Sequence, residues 1–131
     1  REIIEERQRL AKKYDDELEG IRGITRVIIP SHISCPYYKY IIYLDEQYDR
    51  EVVKMRLKDE FGVSLPGEVY AEPCHSQPVF KKYPDLMQNA SDDQFPGSCY
   101  VSQRQICIPL YPGLKDDEVG YVVKALKQVL E

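Results

Sequence analysis

The sequence predicts a two-layer α+β domain, a small antiparallel or mixed sheet of three to four strands with helices packed on it. Three observations predict it. A segment at each end of the chain repeats apolar residues at helical spacing. The most strand-prone run, YYKYIIYL at residues 37–44, lies between two helical patterns. The other strand-like runs are short, and a proline-rich stretch separates them from the last strand and helix. The 131 residues suit one domain, 1–131. Such a chain buries roughly two thirds of the surface its unfolded form exposes, enough for a real core.

Residues 1–19 read as a helix. Ile4, Ala11 and Leu18 recur every seven residues, Ile3, Leu10 and Tyr14 widen the stripe, and Gly20 and Gly23 end it. Residues 26–30 (RVIIP) read as a short edge or terminal strand. In the next strand, Tyr38, Tyr40, Ile42 and Leu44 share one face and Tyr37, Lys39, Ile41 and Tyr43 the other. Both faces are substantially apolar, which predicts that both are covered. Asp49 caps a helix running to Phe61, with Val53, Leu57 and Phe61 at four-residue spacing and Gly62 as its stop.

Residues 63–70 are extended in character. Residues 71–96 carry Pro73, Pro78, Pro84 and Pro96 with Asn89, Ser91, Asp92 and Asp93, and read as loop with one helical turn near 79–83. A loop this long in a compact domain is functional or mobile. A short helix over 97–105 and a strand over 106–110 (ICIPL) follow, then a Tyr111-Pro112-Gly113 turn. The clearest helix is 115–130, with Val119, Val122, Val123, Leu126, Val129 and Leu130 on one stripe, acids at its start and Lys124 and Lys127 toward its end. The order of elements is also compatible with a ferredoxin-like arrangement.

Eighteen basic against 22 acidic residues give a net charge of −4, and no basic stripe is present, which argues against a nucleic-acid partner. No apolar run approaches the ~20 residues that span a bilayer, and no secretory signal pattern opens the chain. These features predict a cytoplasmic protein without a membrane partner. The first residue is Arg1, inside a helical pattern, so the sequence reads as a fragment of something longer. Cys35, Cys74, Cys99 and Cys107 show no CxxC pairing, and reduced thiols are the default. His32 with Cys35, and Cys74 with His75, lack the spacing of a zinc knuckle, so no metal site is predicted. Cys99 and Cys107 fit packing as small hydrophobes.

Several segments then fall in one order. Residues 106–130 (ICIPLYPGLKDDEVGYVVKALKQVL) resemble the closing turn and helix of the DegT/StrS-type nucleotide-sugar aminotransferases, with Ile108-Pro109-Leu110-Tyr111-Pro112-Gly113-Leu114 as the turn. Residues 37–45 (YYKYIIYLD) resemble the strand after that domain's first helix. Tyr70, Pro73, His75, Gln77 and Pro78 resemble its loop element, and Phe95-Pro96 the start of its next short helix. The chain departs from the family where Ser98-Cys99 stands near its usual Ala-Glu, and near Tyr38, where a histidine is common. The resemblance covers nearly all of this chain but only the last third or so of a full member.

That resemblance implies the C-terminal small domain of a fold type I enzyme. In such an enzyme, pyridoxal phosphate on a lysine of the large domain carries an amino group from an amino acid to a keto-sugar nucleotide. It implies as partners the N-terminal large domain, a second copy in a homodimer and the nucleotide-sugar substrate. No catalytic lysine or cofactor is expected in these 131 residues. Lys39, among tyrosines, reads as a lysine snorkelling to the sheet edge.

His75 is the leading substrate-binding candidate. Pro73 and Pro78 stiffen its loop, and the resemblance turns that loop toward the cleft, where an imidazole suits a phosphate or sugar hydroxyl. A surface histidine satisfied by backbone is the alternative. Tyr70 and Tyr38 are weaker candidates, since a strand tyrosine more commonly packs in a core or interface. A free-standing α+β ligand-binding or protein-interaction module stays open as the second reading of the whole chain.

Overall fold

The computed structural model describes residues 1–87 and 90–131. Asn89, which the sequence reading placed in the long loop, lies outside the described residues. The chain runs α1 (Glu2–Glu17), β1 (Ile24–Arg26), β2 (Tyr40–Leu44), α2 (Arg50–Phe61), α3 (Pro78–Lys82), α4 (Pro96–Arg104), β3 (Gln105–Ile108) and α5 (Asp116–Leu130). Single 3-10 turns lie at Cys74–Ser76, Pro84–Leu86 and Asp92–Gln94.

The three strands form one antiparallel sheet in the order β1-β2-β3. This is the α+β architecture the sequence predicts, without the ferredoxin-like crossovers. The register pairs Ile24 with Leu44, Ile42 with Ile106 and Tyr40 with Ile108, which lines these residues up on one face. That face is buried with Leu10, Tyr14 and Leu18 of the α1 segment, Val53 and Leu57 of α2, and the Val119–Leu130 stripe of α5. Helices therefore cover one face completely. Truncating any one of these large buried side chains to alanine costs roughly 2–5 kcal/mol.

Local chemistry sets the helix limits. Asp49 accepts from the backbone N–H groups of Glu51 (2.8 Å) and Val52 (3.1 Å), satisfying two orphan donors of α2. Gly62 closes that helix in the left-handed conformation at φ 68°. At the start of α5, the Glu118 carboxylate accepts from the Lys115 N–H at 2.7 Å. Arg9 of α1 reaches Asp116 at 2.7 Å, and Arg56 of α2 donates to the Val129 carbonyl at 2.6 Å, so both helices are pinned to opposite ends of α5.

Tyr14 and Tyr40 meet inside the core with ring centroids 5.0 Å apart. Tyr14 donates to the Pro109 carbonyl (2.8 Å) and Tyr40 to Asp15 Oδ1 (2.6 Å), so neither buried phenol lacks a partner. Burial pushes both phenols well above their ordinary pKa of 10.0.

Three expectations are corrected. The strand predicted at 26–30 is Ile24–Arg26, because the ladder starts two residues earlier, opposite Leu44, and Ile28 is almost fully exposed. The strand predicted at 37–44 begins at Tyr40, since Tyr37 takes a positive φ of 45° that breaks the extended run. The second sheet face is only half covered: Ile41 and Tyr43 alternate as half-buried residues with the buried Tyr40, Ile42 and Leu44. Only α4 and loops lie over it, and this incomplete cover makes the site.

Candidate functional site

A cavity of about 900 Å³ opens on the half-covered face. Ile41 and Tyr43 form its floor, Val101 and Ser102 of α4 one wall, and Val69 to Cys74 the other. Its size falls within the range of small-molecule pockets, roughly 300–1,000 Å³, and an apolar floor with a few polar groups is their usual lining.

The wall at 69–74 has no regular secondary structure, so side chains hold it. Gln105, the first residue of β3 and only 2% exposed, donates through Nε2 to the Tyr70 carbonyl (2.8 Å) and accepts through Oε1 from the Val69 N–H (3.3 Å). The Lys39 ammonium, at the partly exposed sheet edge, donates to the carbonyls of Gly67 and Glu68. Lys54 of α2 meets the Glu68 carboxylate at 2.7 Å. Burial raises the pKa of Glu68, but hydrogen bonding and the Lys54 charge outweigh it and leave the net shift downward.

The three sequence-predicted residues separate. Tyr70 lines the cavity with its side chain largely exposed. Tyr38 is also exposed, outside the cavity lining, with the Lys39 ammonium 5.9 Å from its ring centre. His75 is 4% exposed and sits behind the wall, between the cavity-lining Cys74 and Gln77. Its ring stacks on Phe95 at 4.5 Å and 20°. Its Nε2 lies 2.9 Å from Asp92 Oδ1 and 3.7 Å from Cys99 Sγ. Burial, then the neighbouring Asp92 carboxylate, push the Cys99 thiol upward.

Sequence reasoning missed Gln105, Asp92 and Cys99 as parts of this region. Asp92 and Cys99 stand 17 and 24 residues from His75, so no local spacing connects them. The one available signal was Cys99 itself, where the family pattern departs.

Fold and cavity together define a small α+β domain that presents a loop-walled cleft from one sheet face. The chain belongs to the DegT/DnrJ/EryC1/StrS aminotransferase family, whose pattern matches residues 1–127. An uncharacterized protein of Methanocaldococcus jannaschii, MJ1066, is 28% identical over 126 residues, covering 95% of this chain and 31% of that protein. The UDP-4-amino-4-deoxy-L-arabinose–oxoglutarate aminotransferase of Shewanella sediminis is 26% identical over 140 residues, covering 98% of this chain and 34% of the enzyme. DesV of S. venezuelae, solved in complex with a ketimine intermediate, superposes with a TM-score of 0.82 at 17% identity, over 97% of this chain and 32% of DesV. The chain therefore spans about a third of the length of these relatives. The reading as a free-standing module is not favoured by this match. Among the described residues no helix is long and apolar enough to cross a membrane.

Proposed function

We propose that this chain is the C-terminal small domain of a pyridoxal-phosphate-dependent enzyme that moves an amino group from an amino acid to a keto-sugar nucleotide. The observation that carries the reading is the half-covered sheet face with its loop-walled cavity, in a chain that matches the aminotransferase family over 127 residues and a third of its relatives' length. The domain shapes one side of the substrate cleft.

Lys39 and Lys54, the lysines beside the cavity wall, do not fit the cofactor's anchor. A Schiff-base lysine needs a shielded amine without a fixed counter-charge, whereas Lys39 is bound to two carbonyls and Lys54 to a carboxylate. The anchor and the phosphate site belong in this reading to the large N-terminal domain, and no chemical step is assigned to the residues described here. Tyr70 offers a phenol to a sugar hydroxyl from the cavity wall, and Tyr38 does so from the neighbouring rim. His75 serves a substrate phosphate or hydroxyl when the exposed Asp92 side chain swings off its Nε2. The exposed Ile28, Ile33 and Leu86 suit burial against the large domain or the second copy of a homodimer. The free thiols fit a cytoplasmic setting.

The test uses the full-length protein loaded with pyridoxal phosphate. An amino-acid donor should discharge the cofactor's absorbance, and a keto-sugar nucleotide should restore it. Tyr70→Phe and His75→Ala should raise the KM for the sugar nucleotide while the absorbance of the resting enzyme stays normal. A protein that binds no pyridoxal phosphate defeats the reading, and unchanged kinetics in both variants remove the site.

A further inference from the structure

We propose that His75, Asp92 and Cys99 form a binding site for a divalent metal ion of the zinc type, with a fourth position left for water or an anionic ligand. The nitrogen, oxygen and sulfur donors all lie within 4.8 Å of one another. Tetrahedral zinc holds such donors at about 2.0–2.3 Å, which sets them roughly 3.3–3.8 Å apart. The observed 3.7 Å from Nε2 to Sγ falls in that range, 2.9 Å from Nε2 to Oδ1 is a few tenths of an ångström short of it, and Oδ1 and Sγ lie no more than 4.8 Å apart, so the exposed Asp92 side chain adjusts to complete the set.

A cysteine–histidine–aspartate set invites a different interpretation, a nucleophilic triad, and the geometry opposes it. In a triad the carboxylate and the nucleophile use opposite ring nitrogens, so that one orients the imidazole while the other gives up its proton. Here the carboxylate and the thiol both face Nε2. One nitrogen cannot be held by Asp92 and accept the Cys99 proton together. An ion on the Nε2 lone pair would instead have both the Asp92 carboxylate and the Cys99 sulfur within reach.

The setting supports an ion further. His75 is a fixed ligand, buried and stacked on Phe95. The Asp92 side chain is 74% exposed, giving an ion a route in and a carboxylate free to adjust. A mixed nitrogen, oxygen and sulfur set favours zinc over magnesium or calcium, which prefer oxygen alone. The ligands come from the turn at Cys74–Ser76, the turn at Asp92–Gln94 and α4, so one ion cross-links three short elements behind the cavity wall. Binding places the Cys99 sulfur as thiolate and releases its proton to solvent, so affinity rises with pH.

The inference goes beyond the aminotransferase reading: with an ion on Nε2, a substrate anion would meet the ion's open fourth position in place of the imidazole itself. Its test is made on the intact protein after chelator treatment. Titration with Co²⁺ should give one equivalent of tetrahedral ligand-field absorption in the red, which Zn²⁺ displaces. Cys99→Ser should weaken Zn²⁺ by more than the roughly tenfold to hundredfold that loss of an outer-sphere partner costs, and Asp92→Asn should weaken it as well. Cys35→Ser and Cys74→Ser should leave it unchanged. Absence of stoichiometric absorption in the folded protein overturns the proposal. So does parental affinity in Cys99→Ser, or in Asp92→Asn should the cysteine variant fail to fold. The aminotransferase reading survives any of these results, since its own test does not involve metal.

Discussion

Gln105→Met tests the claim that one buried amide holds the cavity wall. Methionine keeps the length and volume of the side chain and removes both bonds, to the Val69 N–H and the Tyr70 carbonyl. Each hydrogen bond contributes about 1 kcal/mol net. Val69 is half-buried and Tyr70 exposed, so water replaces part of what is lost and no deeply buried orphan remains. The expected local cost is therefore about 1–2 kcal/mol, toward the low end of what two lost bonds imply. A free-energy change of that size raises the opened population of the 66–73 segment roughly 5- to 30-fold.

Amide hydrogen exchange followed by mass spectrometry reads this directly. Protection of the Val69 amide should fall by that factor in Gln105→Met, while peptides from α5 exchange as in the parent. Gln105→Glu sets a buried, unpaired carboxylate against the Tyr70 carbonyl, so Val69 protection should fall at least as far as in the methionine variant. Val69 exchange within twofold of the parent in Gln105→Met, with the helices equally protected, would show that the wall is held by something else.

Three further outcomes follow from the same structure. Gly23→Ala should cost about 3 kcal/mol, because Gly23 has φ +89° and a β-carbon there comes 2.6 Å from the Tyr48 ring, which is anchored by its 2.8 Å bond to the Leu130 carbonyl. Gly20→Ala, at φ +74° with open space around it, should cost only about 1 kcal/mol in the same denaturant titration. Alkaline unfolding should begin near pH 10. Tyr14 and Tyr40 keep protons that the unfolded chain releases above its ordinary 10.0, so stability is intact below that pH and falls above it by up to about 2.7 kcal/mol per pH unit. Urea midpoints in Tyr14→Phe should fall less steeply with pH than in the parent. Lys54→Met should cost roughly 2–3 kcal/mol at pH 7, because it strands the Glu68 carboxylate, whose side chain is 9% exposed. Glu68 carries a lowered pKa, so its pairing stabilises above the ordinary 4.5 and is lost as pH falls below it. The gap between parent and Lys54→Met should therefore close under acid conditions.

What could be read from sequence was whatever neighbouring residues decide. Asp49 and Gly62 bracket α2 as predicted, because a cap acts across three residues and a left-handed glycine acts alone. The stripe of α5 is buried as its spacing requires. Strand ends were less legible, because they depend on a partner elsewhere in the chain. Val27, Ile28 and Ile29 are more strand-like than Ile24-Thr25-Arg26, yet the ladder opposite Leu44, Tyr43 and Ile42 takes the latter. The Gly23 carbonyl already accepts from Asp45 N at 2.9 Å, which fixes the register before the apolar run begins. In the candidate site, His75 and Tyr70 stood out because prolines and an aromatic mark a loop locally. Gln105 did not, since a polar residue at the start of a strand reads as solvent-facing until the wall it holds is seen.

The asymmetry of the sheet separates the residues that fix the fold from those that fix the loop wall. One face is closed by three helices whose apolar stripes fill the core, and changes there are punished by cavities and clashes. The other face carries loops fixed by a few side-chain bonds: Gln105 to residues 69 and 70, Lys39 to Gly67 and Glu68, and Arg50 to the Ser102 carbonyl at 2.5 Å. In each bond a residue from or beside a regular element grips a backbone group, and backbone groups are the same whatever side chain the residue carries. Tyr70, Glu72 or Ser98 can therefore change identity while the wall keeps its position. On the proposed reading this separates specificity from stability: the helix-covered face holds the chain folded, and the loop-covered face can change its lining side chains without loss of the fold.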